Sequence, residues 1–165
     1  KSVTPILEGQ FVQKPARGAA KIGKTKPSVA YEFFALTDTL ETTQALVGRP
    51  ATDKGTSETI ALPERDLPDR FGLVFKGYVT IPARGIYTLS TLSNDGSRLY
   101  IGDELVVDND GPHMDREVSG QIALEPGAHP IRVEYFQAGA GKALEVFVEG
   151  GGVAKQTVSA AMLSH

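Results

Sequence analysis

Between residues 71 and 149, apolar side chains recur at every second position in one segment after another. A period of two is the signature of an extended strand that turns one side to a core, and a helix cannot reproduce it. FGLVFKGYVTI (71–81) places Phe71, Leu73, Phe75, Gly77, Val79 and Ile81 on one side. PIRVEYF (130–136) alternates Ile131, Val133 and Tyr135 with Arg132, Glu134 and Phe136, and ALEVFVE (143–149) sets Leu144, Val146 and Val148 against Glu145 and Glu149. IYTLSTL (86–92), RLYI (98–101), ELVV (104–107) and VSGQIAL (118–124) belong to the same series, and VAYEFFAL (29–36) precedes it. Strands buried on one side pack face to face, and no long amphipathic segment alternates with them as a βαβ fold would require. The expectation is an all-β fold, an antiparallel β-sandwich or flattened β-barrel.

Turn chemistry separates the strands. Gly102 and Asp103 sit between RLYI and ELVV as a tight hairpin, Asp95 and Gly96 form a turn dipeptide, and Pro126 followed by Gly127 supplies a preset φ and then a free one. Residues 37–70 are polar and rich in turn formers, so they read as a long surface loop with a short helix at most. Residues 1–28 are rich in Lys, Pro, Gly and Ala without sustained periodicity. They read as a linker or lead-in, with one short strand near Ile6 and a solvated basic stretch over 14–26; the domain proper is 29–165.

The composition removes several functions. The 165 residues suit one domain, and no apolar run is long enough to cross a bilayer as a helix. Seventeen basic and 20 acidic residues leave a net charge of −3, without the concentrated basic face of a nucleic-acid binder. The absence of Cys excludes disulfides, thiolate metal sites and thiol nucleophiles. His113, His129 and His165 share no zinc-ligand spacing, and no GxSxG elbow is present. Asp108, Asp110, Gly111 and Glu117 fit four positions of an EF-hand loop, but Val106 occupies the first and strands flank it, so the match is accidental. The remaining acidic residues read as solvent-facing strand positions, and the fragment is not expected to be an enzyme.

The motifs GYVTIPARGIYTLSTLSNDGSRLYI, DELVVDNDGPH, SGQIALEPGAHPIRVEYFQ and ALEVFVEGGG follow one another from residue 77 to residue 152. Together with AYEFF they resemble the PA-fourteen family, the domain of protective antigen and of accessory modules in bacterial glycosidases, adhesins and toxins. The similarity spans roughly 27–163. It implies a twisted antiparallel barrel or sandwich. In sugar-binding members it also implies two neighbouring acidic residues, joined by a cis peptide, that hold a calcium ion bridging to sugar hydroxyls. The matching dipeptide here is Asn94–Asp95, so an amide replaces the first carboxylate; the second loop, where the family brings an Asn, offers Gln137. Asp95 and Asn94 therefore stand as calcium ligands by resemblance. By their own chemistry they are equally side chains that cap the turn through backbone amides.

The expected function is a non-catalytic carbohydrate-binding or substrate-positioning module of a larger exported bacterial protein, extracellular or periplasmic. The parent implied by the resemblance is a glycoside hydrolase such as a hexosaminidase or fucosidase. The expected ligand residues are Asn94, Asp95, Asp110, His113 and Gln137, at the end formed by 93–97, 108–113 and 137–141. Tryptophan, the strongest stacking residue for pyranose rings, is absent, which points to a small pocket at the loop tips rather than a broad platform. The expected partner is a glycan or a neighbouring catalytic domain, on a monomer. The rival reading is a docking module that packs on its neighbour and binds no sugar.

Overall fold

The computed structural model describes residues 14–165. Eleven strands account for nearly all of its regular structure: β1 (Val29–Ala35), β2 (Asp53–Ser57), β3 (Phe71–Ile81), β4 (Gly85–Asn94), β5 (Ser97–Ile101), β6 (Glu104–Asn109), β7 (Arg116–Leu124), β8 (Gly127–Gln137), β9 (Ala143–Gly150), β10 (Val153–Thr157) and β11 (Leu163–Ser164). Two short 3-10 turns, Thr43–Leu46 and Ala160–Met162, are the helical pieces among the described residues. One sheet runs β2-β1-β3-β8-β5-β6, with β11 also paired to β3; the other runs β10-β9-β4-β7. Every pairing between named strands is antiparallel. The sandwich expected from the two-residue rhythm is the fold observed.

The longest ladder joins β3 to β8, from Phe71 opposite Gln137 to Ile81 opposite Gly127. Its inward side chains, among them Leu73, Phe75, Val79, Ile131, Val133 and Tyr135, meet Tyr87, Leu89, Val146 and Val148 of the other sheet in one core. Fully burying a Leu, Val or Phe side chain contributes about 1.5–3 kcal/mol, so this core dominates the stability of the fold. The β5–β6 hairpin turns at Gly102, whose φ of +59° suits glycine.

Three local expectations are corrected. The 37–70 stretch is not only a loop: β2 pairs antiparallel with β1, and the Thr43–Leu46 turn carries Leu46 down onto the outer face of the larger sheet. There Leu40 and Leu46 cover Phe34, Val74 and Phe136 in a second, smaller core. For that reason Glu134, expected to face solvent, and Phe136 on the same face of β8 are 2% and 0% exposed. The basic lead-in is not free in solvent either. Arg17 exchanges backbone hydrogen bonds with Ala123 and Glu125 at the free edge of β7, Ala20 donates to Ala128, and Lys26 pairs with His165. The strand expected near Ile6 lies outside the described residues.

Candidate functional site

β4 ends at Asn94 and β5 begins at Ser97, so the turn between them links one sheet to the other at one end of the sandwich. The Asn94–Asp95 peptide in this turn is cis, as the family resemblance implies. Gly96 sits tightly beneath it: a Cβ there would run into the Phe136 ring and stand 2.9 Å from Asp110 Oδ1. Two more loops converge on the turn, one after β6 and one between β8 and β9.

Asp95 holds the three together. Its Oδ1 accepts from the His113 amide at 2.9 Å and its Oδ2 from the Ala138 amide at 2.8 Å. At 8% exposure the carboxylate is nearly out of water, where hydrogen bonds to an ion are strongest. Asn94 donates from Nδ2 to Asp115 Oδ1 at 2.9 Å, and its carbonyl accepts from the Tyr135 hydroxyl at 2.5 Å. That hydroxyl is also 3.0 Å from Gln137 Oε1, and Gln137 Nε2 donates to the Gly139 carbonyl at 2.6 Å. Burial first, and the charge of Asp95 second, push the Tyr135 phenol far above its ordinary range, so it stays a donor. Both ring nitrogens of His113 face carbonyls, Nδ1 that of Met114 at 2.7 Å and Nε2 that of Asn109 at 2.8 Å.

Beneath the turn lies a buried polar layer that strand periodicity could not reveal. Asn109, wholly buried, donates from Nδ2 to the Arg116 carbonyl at 2.8 Å and to Ser93 Oγ at 3.3 Å, while its Oδ1 accepts from Arg116 Nε at 2.8 Å. The hydroxyls of Thr91 and Ser93 meet that of Ser97 at 2.8 and 2.7 Å. These bonds satisfy groups whose burial would otherwise be costly, and they fix the three loops relative to one another.

Four of the five expected ligand residues, Asn94, Asp95, His113 and Gln137, are thus brought together. Asp110 lies beside them, its Oδ1 2.9 Å from where a Cβ on Gly96 would stand, but it is bonded to another element. Its carboxylate accepts from Thr42 Oγ1 at 2.6 Å and from the Thr43 amide at 2.9 Å, which anchors the Thr43–Leu46 turn over the outer sheet face. The residues of the EF-hand match are taken up by cations, with Asp108 and Asp110 sharing Arg98 and Glu117 on Lys155. Tyr135 and Asp115 lie outside the segments expected to form the site, whereas Asn109 and Ala138 fall within the expected 108–113 and 137–141 segments without being singled out.

A calcium ion takes six to eight oxygens. Each oxygen of Asp95 accepts one backbone amide and keeps a further lone-pair site, Gln137 is 1% exposed and occupied on both ends, and Asp110 accepts from Thr42 and Thr43. Among the described residues no three His, Asp or Glu side chains gather as a metal-ligating group. On their own these side chains offer fewer oxygens than such a shell takes.

Two antiparallel sheets with three loops locked at one end, and a buried polar layer below, define an antiparallel β-sandwich domain. The chain belongs to the PA14 domain family, which it matches over residues 31–157. PA14 domains are typically non-catalytic binding modules. The structure is similar to the PA14 domain of the antifreeze protein MpAFP (TM-score 0.74, 16% identity, 90% of this chain and 96% of that one). It is also similar to the PA14 sugar-binding domain of an RTX adhesin (0.72, 14%, 84% and 98%). A third match is the epithelial adhesin 6 A domain from Candida glabrata, solved with Galβ1-3GlcNAc (0.67, 11%, 87% and 89%). At these identities the likeness establishes the fold. No curated protein matches the chain in sequence, and no helix among the described residues is long and apolar enough to cross a membrane.

Proposed function

We propose that the chain is a carbohydrate-recognition module of an exported protein, one that holds a glycan at the Asn94–Asp95 tip and performs no chemistry itself. The observation that carries this reading is the double anchoring of Asp95. One carboxylate ties the amides of His113 and Ala138 into a single rigid tip, so binding a sugar there requires little loop ordering. Around the anchor stand groups of the kind a sugar needs: the acceptors Asn94 and Asp115 for hydroxyls, and Met114, 83% exposed, as an apolar surface beside them. A shallow groove lined by Thr37, Asp69, Arg70 and Ala138–Ala140 continues from the same loop. The sugar-binding RTX adhesin domain and the adhesin solved with a disaccharide share the fold.

The parent of such a module is an adhesin or, as the sequence resemblance implies, a glycoside hydrolase. Tethering would raise the concentration of substrate near the catalytic domain without any contribution to the reaction. A glycan array probed with the purified chain, with and without calcium, tests the proposal. The expected result is retention of neutral glycans that Asp95→Asn weakens about tenfold or more, since a charge-assisted anchor is lost. If the folded chain retains no neutral glycan in either condition, the reading fails and a docking role takes its place. Strict calcium dependence would require the side chains of the tip to rearrange on binding.

A further inference from the structure

A second surface, remote from the tip, has the chemistry of a ligand site. On the outer face of the larger sheet Lys76 of β3 and Arg132 of β8 stand directly opposite each other, and Tyr100 of β5 is opposite Arg132. Like charges in directly facing positions destabilise a sheet unless something compensates them. The compensation here is one-sided. Lys76 Nζ is 3.6 Å from Glu32 and Arg132 Nη2 is 3.3 Å from Glu134; both carboxylates lie one row away, on the side of the covering 37–57 stretch. Glu134 also serves Thr43. On the other side the two cations border a groove lined by Tyr78, Pro130, Gly102 and His165, and none of the described residues lining it carries a side-chain carboxylate. Asp103, next to Gly102 in the chain, is bound to Arg17, whose guanidinium lies so close to Gly102 that a Cβ would collide with it. The Arg132 guanidinium lies over the Tyr100 ring, 4.4 Å from its centroid, and its buried Nε–H has no partner among the described residues.

We propose that this face is a second ligand surface for an acidic polysaccharide: a uronate ring rests against Tyr78 and Pro130, with its carboxylate on Arg132 and Lys76. The exposed part of the Arg132 guanidinium can meet a planar acceptor, and a guanidinium held over an aromatic ring is already ordered for it. The phenol ring and the proline offer the apolar area that a pyranose face covers. Lys76 and Arg132 keep 59% and 38% of their side chains exposed, so the attraction is accessible and also screened by salt. The proposal does not depend on the tip, because it concerns a different face and a charged rather than a neutral sugar.

The test is calorimetric titration of the purified chain with oligogalacturonate at low salt, against neutral dextran, dextran sulfate and duplex DNA. The expected result is oligogalacturonate binding at least about tenfold tighter than neutral dextran and reduced about tenfold by Arg132→Gln or Lys76→Gln, the loss of one charge-assisted contact. Tyr78→Ala should weaken it severalfold, and Asp95→Asn should leave it unchanged. Amide shifts in NMR spectra should move at residues 76–78, 100 and 132. Equal binding of dextran sulfate or DNA would reduce the effect to general polyanion attraction and overturn the proposal. So would shifts confined to 94–97 and 138–141. Lys76 is exposed, so its variant reports on the site even if Arg132→Gln does not fold.

Discussion

The two sheets of this domain use the same strand rhythm to different ends. In the smaller sheet the alternation means what it says: Leu144, Val146 and Val148 of β9 are buried and Glu145 and Glu149 face water. In the larger sheet the inner face behaves the same way, but the outer face is half covered. Thr43, Leu40 and Leu46 sit over Val74, Glu134 and Phe136, and Asp110 holds that cover in place through Thr42 and Thr43. The contrast shows that period two reports one buried side and is silent about the other. A strand can carry a second core on its back when a distant loop folds over it.

The largest test of this difference is a pair of truncations. Phe136→Ala removes a ring that is 0% exposed under the cover and should cost about 3–5 kcal/mol. Phe147→Ala, on the open back of the smaller sheet with Lys155 5.0 Å from its centroid, should cost about 1 kcal/mol or less. Urea unfolding of both variants measures the gap. Equal costs would mean that the cover contributes no real burial.

What the sequence made legible follows the same boundary. Strands that bury one side were legible with the residues that face the core, though not with their pairing, and the hairpin at Gly102 was readable from turn chemistry alone. Residues 37–70 were not, because the apolar positions that build the cover, Leu40 and Leu46, are too few and too widely spaced to form a period. Their partner Asp110 lies 67 residues beyond Thr43. The site divided likewise. Asn94, Asp95 and Gln137 could be named because a turn dipeptide and family likeness mark them, and His113 and Asp110 because a polar loop follows the hairpin. Ala138 contributes only a backbone amide, and Asn109 and Tyr135 act from strand positions that look like ordinary packing.

A smaller effect separates the buried carboxylate from the exposed ones. Glu134→Gln keeps the shape but withdraws the charge that meets Arg132 at 3.3 Å, in a place only 2% exposed. The expected loss is about 1–3 kcal/mol, the usual cost of leaving a buried polar group poorly matched. Glu145→Gln, on the exposed side of β9, should stay within about 0.5 kcal/mol of the parent. Thermal unfolding of the two variants side by side decides it; if they differ by less than the error, the Thr43–Glu134–Arg132 contact is incidental to the cover.

The smallest effect concerns acid. The hydrogen bond from Arg49 is the main reason Asp38, near the covering turn, has its carboxyl held below the ordinary aspartate range, and Arg65 does the same for Asp53 of β2. A folded-state pKa below the unfolded one means that the stabilisation is complete above the ordinary aspartate value and is lost as pH falls through the folded value. Both pairs are exposed, so salt screens them and their share of stability is small. Carboxyl NMR titration should therefore find Asp38 and Asp53 titrating at lower pH than a free aspartate. Arg49→Gln should return Asp38 alone to the ordinary range and leave Asp53 where it was. If Asp38 kept its low midpoint in that variant, the bidentate contact at 2.9 and 2.6 Å would not be what holds it there.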